Sequence, residues 1–90
     1  MAHVTFTRHL QRFFPNLAEC DVPATNVREV IEALERLHPG ISSYLLDETG
    51  RLRRHVNVFV NEEPIYDRRT LADALAPDTK VYIVQALSGG

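Results

Sequence analysis

Apolar and polar residues alternate in VTFT, with Val4 and Phe6 on one face, and a period of two predicts a first strand. RHLQRFFPN breaks the alternation, and Pro15-Asn16 supplies a turn signal. LAECDVP places Leu17, Glu19 and Asp21 on one face and Ala18, Cys20 and Val22 on the other, predicting a shorter strand that closes a hairpin across a long connection. In NVREVIEALERLHPG the period becomes helical: Val27, Val30, Ile31, Leu34 and Leu37 form one apolar stripe, opposite Arg28, Glu32, Glu35 and Arg36. Asn26 is placed to cap this helix, Glu29 three residues on completes a capping box, and Pro39-Gly40 ends it.

Beyond the helix, ISSYLL predicts a connector with one helical turn burying Ile41 and Leu45, and DETG turns the chain. RLRRHVNVFVN predicts a strand with Val56, Val58 and Val60 on one face and Asn57 and Phe59 on the other. NEEP turns again, IYD pairs briefly, and Thr70 caps a short helical turn over LADAL that Pro77-Asp78 terminates. KVYIVQAL is the last strand, with Val81 and Ile83 opposite Tyr82 and Val84. One long amphipathic helix among several strands needs a sheet to cover its stripe. The expected class is α+β, a mixed sheet of four to five strands wrapped around one main helix. Val56, Val58, Val60, Val81 and Ile83 should then face the helix, leaving Phe59, Tyr82 and Val84 as an apolar patch on the open face.

Ninety residues fit one domain with a small core. A hydrophobic fraction of 44% argues against disorder, and a net charge of −2 argues against nucleic-acid binding. The single cysteine, Cys20, excludes an internal disulfide. The first residues lack the apolar core of a signal peptide, and no run approaches the ~20 apolar residues needed to span a bilayer, so a cytoplasmic location is expected.

Candidate chemistry is sparse. His3, His9, His38 and His55 are scattered without ligand spacing, so no metal site is expected. Cys20 reads as a small buried hydrophobe on a strand. RLRR could touch phosphate, but Asp47 and Glu48 precede it; a solvated hairpin start fits better, and docking to an acidic partner surface comes second. No phosphate loop, catalytic triad or paired carboxylates stand out, so no catalytic residue is expected and the chain reads as a non-enzyme.

Two long stretches, HVNVFVNEEPI and LADALAPDTKVYIVQALSGG, carry a V-N-V-F-V-N strand, an acidic turn, an L-x-x-x-L element, a D-x-x-V-x-I-x-x-A strand and a final diglycine. The combination resembles the small sulfur-carrier proteins of the MoaD and ThiS type, and looks closer to MoaD-like and cysteine-biosynthesis carriers than to ThiS. The resemblance implies a ubiquitin-like β-grasp domain over residues 1–87 and a flexible tail over 88–90. It implies that Gly90 is the site of adenylation and thiocarboxylation, with Ser88 and Gly89 forming the tail. Ser88 departs from the alanine common there. The outward patch of Phe59, Tyr82 and Val84, with Leu87 next to the tail, is the expected partner-binding surface. The chain itself would hold no cofactor; ATP would be used by an adenylating, E1-like activating enzyme of the MoeB/ThiF type. A sulfur-accepting biosynthetic enzyme is the second implied partner, and a monomer is expected when free. The acceptor stays open among molybdopterin, thiamin, cysteine and specialised-metabolite pathways. Two other readings stay open: a ubiquitin-like modifier joined to lysines through Gly90, and a passive β-grasp interaction module.

Overall fold

The computed structural model describes residues 1–85. Its elements are β1 (Ala2–Phe6), α1 (Arg8–Gln11), β2 (Cys20–Val22), α2 (Val27–Leu37), α3 (Ile41–Leu45), β3 (Val56–Val60), β4 (Glu63–Pro64) and β5 (Lys80–Gln85). The strands form one five-stranded sheet in the order β2-β1-β5-β3-β4. β1 runs parallel to the central β5, and the other pairs are antiparallel. This is the expected α+β mixed sheet.

The period-two positions sort as expected. Val4, Val22, Val56, Val58, Val81 and Ile83 are buried together with Val27, Val30, Ile31 and Leu34 of α2, in one core that also takes Ile41 and Leu45 of α3. Val60 is partly buried against it. Burying such a Val, Leu or Ile side chain stabilises by about 1.5–3 kcal/mol, so this stripe-on-sheet contact holds α2 in place. Leu37 corrects the predicted stripe: the last helical residue is 57% exposed, and Ala33 is buried instead. The N-cap of α2 is Asn26 as predicted, and only the reciprocal bond of the capping box is shifted by one residue. Asn26 Oδ1 accepts from Glu29 N at 2.9 Å as predicted, but the Glu29 carboxylate accepts from Thr25 N and Thr25 Oγ1, at 2.6 and 2.8 Å, and not from Asn26 N.

The turn from α2 into α3 is closed by one side chain. Glu35 accepts from Gly40 N and Ser42 N, both at 2.9 Å, while Gly40 takes the left-handed φ of 100° that a side chain would oppose. Between β3 and β4, Asn61 and Glu62 both have positive φ, 49° and 73°, and join the Val60–Glu63 pair as a two-residue hairpin turn.

Several expectations need correction. The break after β1 contains the short helix α1, which buries Leu10. Only Cys20–Val22 of LAECDVP pairs, although Leu17 is buried. The third strand is confined to Val56–Val60, because Arg53 N bonds to Leu45 O and the preceding residues close on α3 instead. The strand after the turn is Glu63–Pro64, and of IYD only Ile65 pairs, its N donating to Val58 O at 3.0 Å. LADAL forms no helix. Asp67, not Thr70, organises this loop: its carboxylate accepts from the backbone N of Arg69, Thr70 and Ala72 and from the Thr70 hydroxyl. Leu71 then takes a φ of 59°, outside any helix, and is buried in the core.

Candidate functional site

The outer face of the sheet is built by the residues that alternate with the core. Tyr82 on β5 lies in register with Thr5 on β1 and with Phe59 on β3, so these three side chains form a row across the three middle strands. The Phe59 and Tyr82 rings are 6.5 Å apart between centroids, tilted by 35°. Tyr82 is 43% exposed and Phe59 half-buried. Val84, also half-buried, pairs with Asn57 one step further along β5. The structure therefore brings three of the predicted partner-binding residues, Phe59, Tyr82 and Val84, onto one face. Leu87, Ser88, Gly89 and Gly90 lie outside the described residues.

The aromatic row borders an open groove of about 540 Å³, lined by His3, Thr5, Phe59, Glu62, Lys80 and Tyr82 among others. Most of its floor is hydrocarbon and its rim is charged, the usual make-up of a surface that excludes water only when a partner covers it. His3 is held at this rim. Its Nδ1 is 2.9 Å from Asp21 Oδ1, its register partner on β2, and its Nε2 is 3.4 Å from Glu19 Oε2. The Asp21 hydrogen bond is the main cause that raises the His3 pKa above its ordinary 6.5. Sequence reading missed this pair because it rests on strand register, although Asp21 and His3 both fall on outward positions of the predicted hairpin.

At the other end of β5, where the chain runs on toward residue 90, a second concavity of about 360 Å³ is lined by Ser43, Tyr44, Arg53, His55 and Gln85. Gln85 belongs to the inner row of β5 and is only 9% exposed. The arginine run was read from sequence as a solvated hairpin start. Arg53 Nε instead donates to Ser43 O at 3.1 Å, which anchors its guanidinium beside α3. Arg68, missed by sequence reading, donates from Nη2 to Arg53 O and Val56 O, at 2.7 and 2.8 Å, and from Nη1 to Asn57 Oδ1 at 3.1 Å. It ties the distant loop to the start of β3.

Burial, with the charge of Asp21 added, pushes the Cys20 thiol above its ordinary pKa, which lowers its thiolate fraction. His9 stacks edge-on against Phe13 at 5.7 Å. Among the described residues no group of three or more His, Cys, Asp or Glu side chains is placed to hold a metal, and no helix is long and apolar enough to cross a membrane.

The sheet order, the single main helix and the strand leading to a diglycine define a recognisable type. A model of the ThiS family matches residues 11–90. The chain belongs to the ThiS family. Sulfur carrier protein CysO of Mycobacterium tuberculosis is 41% identical over 63 residues, 68% of this chain and 68% of that one. In the crystal structure of the Amycolatopsis orientalis BexX/CysO complex, a chain superposes with a TM-score of 0.84 at 25% identity, over 100% of both chains. SAMP1 from Haloferax volcanii superposes with a TM-score of 0.77 at 24% identity, covering 99% of this chain and 98% of that one, a likeness of fold. The ThiS-family chain thus shares the ubiquitin-like β-grasp architecture with these relatives. The family match takes in Gly89 and Gly90, the residues that the sequence reading singled out.

Proposed function

We propose that this ThiS-family protein is a sulfur carrier whose reactive group is the main-chain carboxylate of Gly90. The observation that carries the reading is the family match running through the diglycine, joined to 41% identity with a sulfur carrier. A carboxylate is a poor electrophile. In the proposed reaction a carboxylate oxygen attacks the α-phosphorus of ATP on an E1-like enzyme of the MoeB/ThiF type, and pyrophosphate leaves. Hydrosulfide then attacks the acyl carbon, AMP leaves, and a thiocarboxylate remains for a sulfur-accepting biosynthetic enzyme. The ATP belongs to the partner, and the chain acts as carrier and not as catalyst, in the cytoplasm.

The part this chain plays is placement. β5 is paired on both sides, to β1 and to β3, so its end is a fixed root. From Val84 to Gly90 is six residues, which span at most about 20 Å when extended. A partner that grips Phe59, Tyr82 and Val84 on the outer face therefore holds the carboxylate within that radius, and positioning of this kind removes much of the entropy cost of bringing reactants together.

The test is intact mass after incubation with ATP, hydrosulfide and the cognate activating enzyme. The carrier should gain ~16 Da by exchange of oxygen for sulfur, and deletion of Gly89 and Gly90 should abolish the gain without changing thermal unfolding. Phe59→Ala and Val84→Asp should stay folded and bind the activating enzyme more weakly, by about 2 kcal/mol for the aromatic anchor. An unchanged mass for the wild-type chain would refute the carrier reading, and heavier lysine-linked adducts would replace it with a protein modifier.

A further inference from the structure

The charges of this acidic chain are partly sorted by pole. Residues 1–18 and 49–61 contain no Asp or Glu, yet carry Arg8, Arg12, Arg51, Arg53 and Arg54 with His3, His9 and His55. The topology gathers part of this set around the end of β5. β1 runs parallel to β5, and Thr7 N bonds to Ile83 O, which brings Arg8 and His9 to that end. β3 runs antiparallel, with Val56 opposite Gln85, which brings Arg53, Arg54 and His55 to the same end from the other side. Among the described residues, no carboxylate lies within 4.0 Å of a nitrogen of these five side chains. The carboxylates Glu62, Glu63 and Asp78 sit at the opposite pole, beside the start of β5, as do Glu19 and Asp21 next to His3, whereas Asp47 and Glu48 border a separate concavity on the other side of Arg53.

Within the basic pole, Gln85 carries an unmet demand. Its Oε1 is buried and has no hydrogen-bond partner among the described residues. A buried acceptor without a donor costs stability, and such a group calls for an explanation. Gln85 lines the 360 Å³ concavity with Arg53, His55, Tyr44 and Ser43. The site thus offers the Arg53 guanidinium, the His55 ring beside it and one amide oxygen that requires an N–H.

We propose that this concavity is a docking pocket for an acidic segment of the protein that takes up the tail. A carboxylate of the segment pairs with Arg53 and His55, and a backbone N–H of the same segment satisfies Gln85 Oε1. A peptide supplies both groups together, whereas phosphate supplies only the anion. Gln85 is the last residue of β5, so an occupant of the pocket contacts the end of that strand. Opposite poles of opposite sign orient the approach, since complementary potentials steer encounter and fix the docking direction. Only the identity of the partner rests on the sulfur-carrier reading; the pocket chemistry stands without it.

Two measurements test the proposal. The first titrates the isotopically labelled full chain with the blocked peptide acetyl-Gly-Asp-Glu-Asp-Gly-amide, its lysine counterpart and inorganic phosphate. Amide shifts should cluster at Tyr44, Arg53, His55 and Gln85, should vanish by about 0.5 M salt, and should be absent with the lysine peptide. Shifts scattered over the surface, or the same shifts produced equally by phosphate, would overturn the proposal. The second measures activation by the cognate enzyme for Arg53→Gln and Gln85→Met. Both should raise KM about tenfold with little change in kcat, and Arg53→Gln should flatten its salt dependence. Gln85→Met should at the same time raise the unfolding temperature of the free chain, because it removes the unpartnered acceptor; a merely structural glutamine would show no such opposition. Wild-type KM in both variants overturns the proposal. If the wild-type chain is not activated at all, the carrier reading fails and the peptide titration alone decides the pocket.

Discussion

Arg68→Met should be among the most destabilising single changes outside the apolar core. The wild-type guanidinium reaches across from the loop before β5 to two main-chain carbonyls, Arg53 O and Val56 O, and to the Asn57 side chain. Hydrogen bonds from a charged donor contribute about 1.5–3 kcal/mol each when fully formed in the interior. Arg68 is half-buried, and water can replace part of what is lost at the carbonyls, so the summed effect is discounted to about 2–3 kcal/mol. For a domain of this size, that corresponds to a fall in unfolding temperature of roughly 10–20 °C. Arg68→Lys keeps the charge but has no planar fork to serve two carbonyls and an amide together, so it should recover less than half of the loss. Differential scanning calorimetry on the three proteins measures this. A loss under about 0.5 kcal/mol, the range of an ordinary surface substitution, would show that Arg68 does not organise the start of β3. Full rescue by lysine would show that charge alone matters and that the fork geometry does not.

Glu62→Gly should stabilise the fold by about 1 kcal/mol, since Glu62 sits at a φ of 73° in a two-residue hairpin turn where glycine has no steric penalty; urea unfolding reads the shift, and a loss of stability would mean that the Glu62 side chain makes a contact worth more than the strain. Stability against pH should pass through a plateau between about pH 5 and 6.5. Below it, Asp67 (held down first by the Thr70 hydroxyl), Asp47, Glu29 and Glu35 all have folded pKa values under their unfolded ones, so their contribution is present above roughly pH 4.5 and is lost as pH falls. Above it, His3 has a folded pKa above 6.5, so its contribution is complete below that value and is lost as pH rises through the folded pKa; His3→Gln should abolish this alkaline slope, and an unaltered slope would assign it elsewhere.

Periodic segments were legible from the sequence because one physical cause dominates each of them. The alternation in VNVFV and KVYIVQ and the stripe of α2 each put apolar residues on a single face, and burial of that face leaves no competing arrangement. Capping of α2 by Asn26 was legible for the same reason, being local. The errors fall where a side-chain or tertiary hydrogen bond outcompetes the preference read from composition and spacing. LADAL has helical composition, yet Asp67 takes up the backbone N–H groups of residues 69, 70 and 72 and fixes a loop that buries Leu71. RLRR carries strand-like spacing, yet Arg53 N pairs with Leu45 O of α3, and Arg68 holds the following carbonyls. Of the candidate site, the outer-face row of Phe59, Tyr82 and Val84 followed from alternation alone. The concavity at Gln85 did not, because its lining comes from α3, β5 and the segment before β3, which are far apart in sequence.

The sheet edges bear on how a partner can bind. β2 and β4, the two edge strands, are three and two residues long, and they carry Asp21 and Glu63-Pro64 respectively. Short edges with charge and proline resist the addition of another strand. A partner is therefore steered away from extending the sheet and toward covering a face. The outer face supplies Phe59 and Tyr82 at its centre, and the basic pole supplies Arg53, Arg54 and Arg8 around the end of the same central strand. β5 joins the two surfaces, since Tyr82 and Val84 point outward and Gln85 inward within four residues of one another. Because β5 is hydrogen-bonded on both sides, its end cannot shift without disrupting β1 and β3 together. Contact on the outer row thus determines where the basic pole sits on the partner, and with it the position from which residues 86–90 set out.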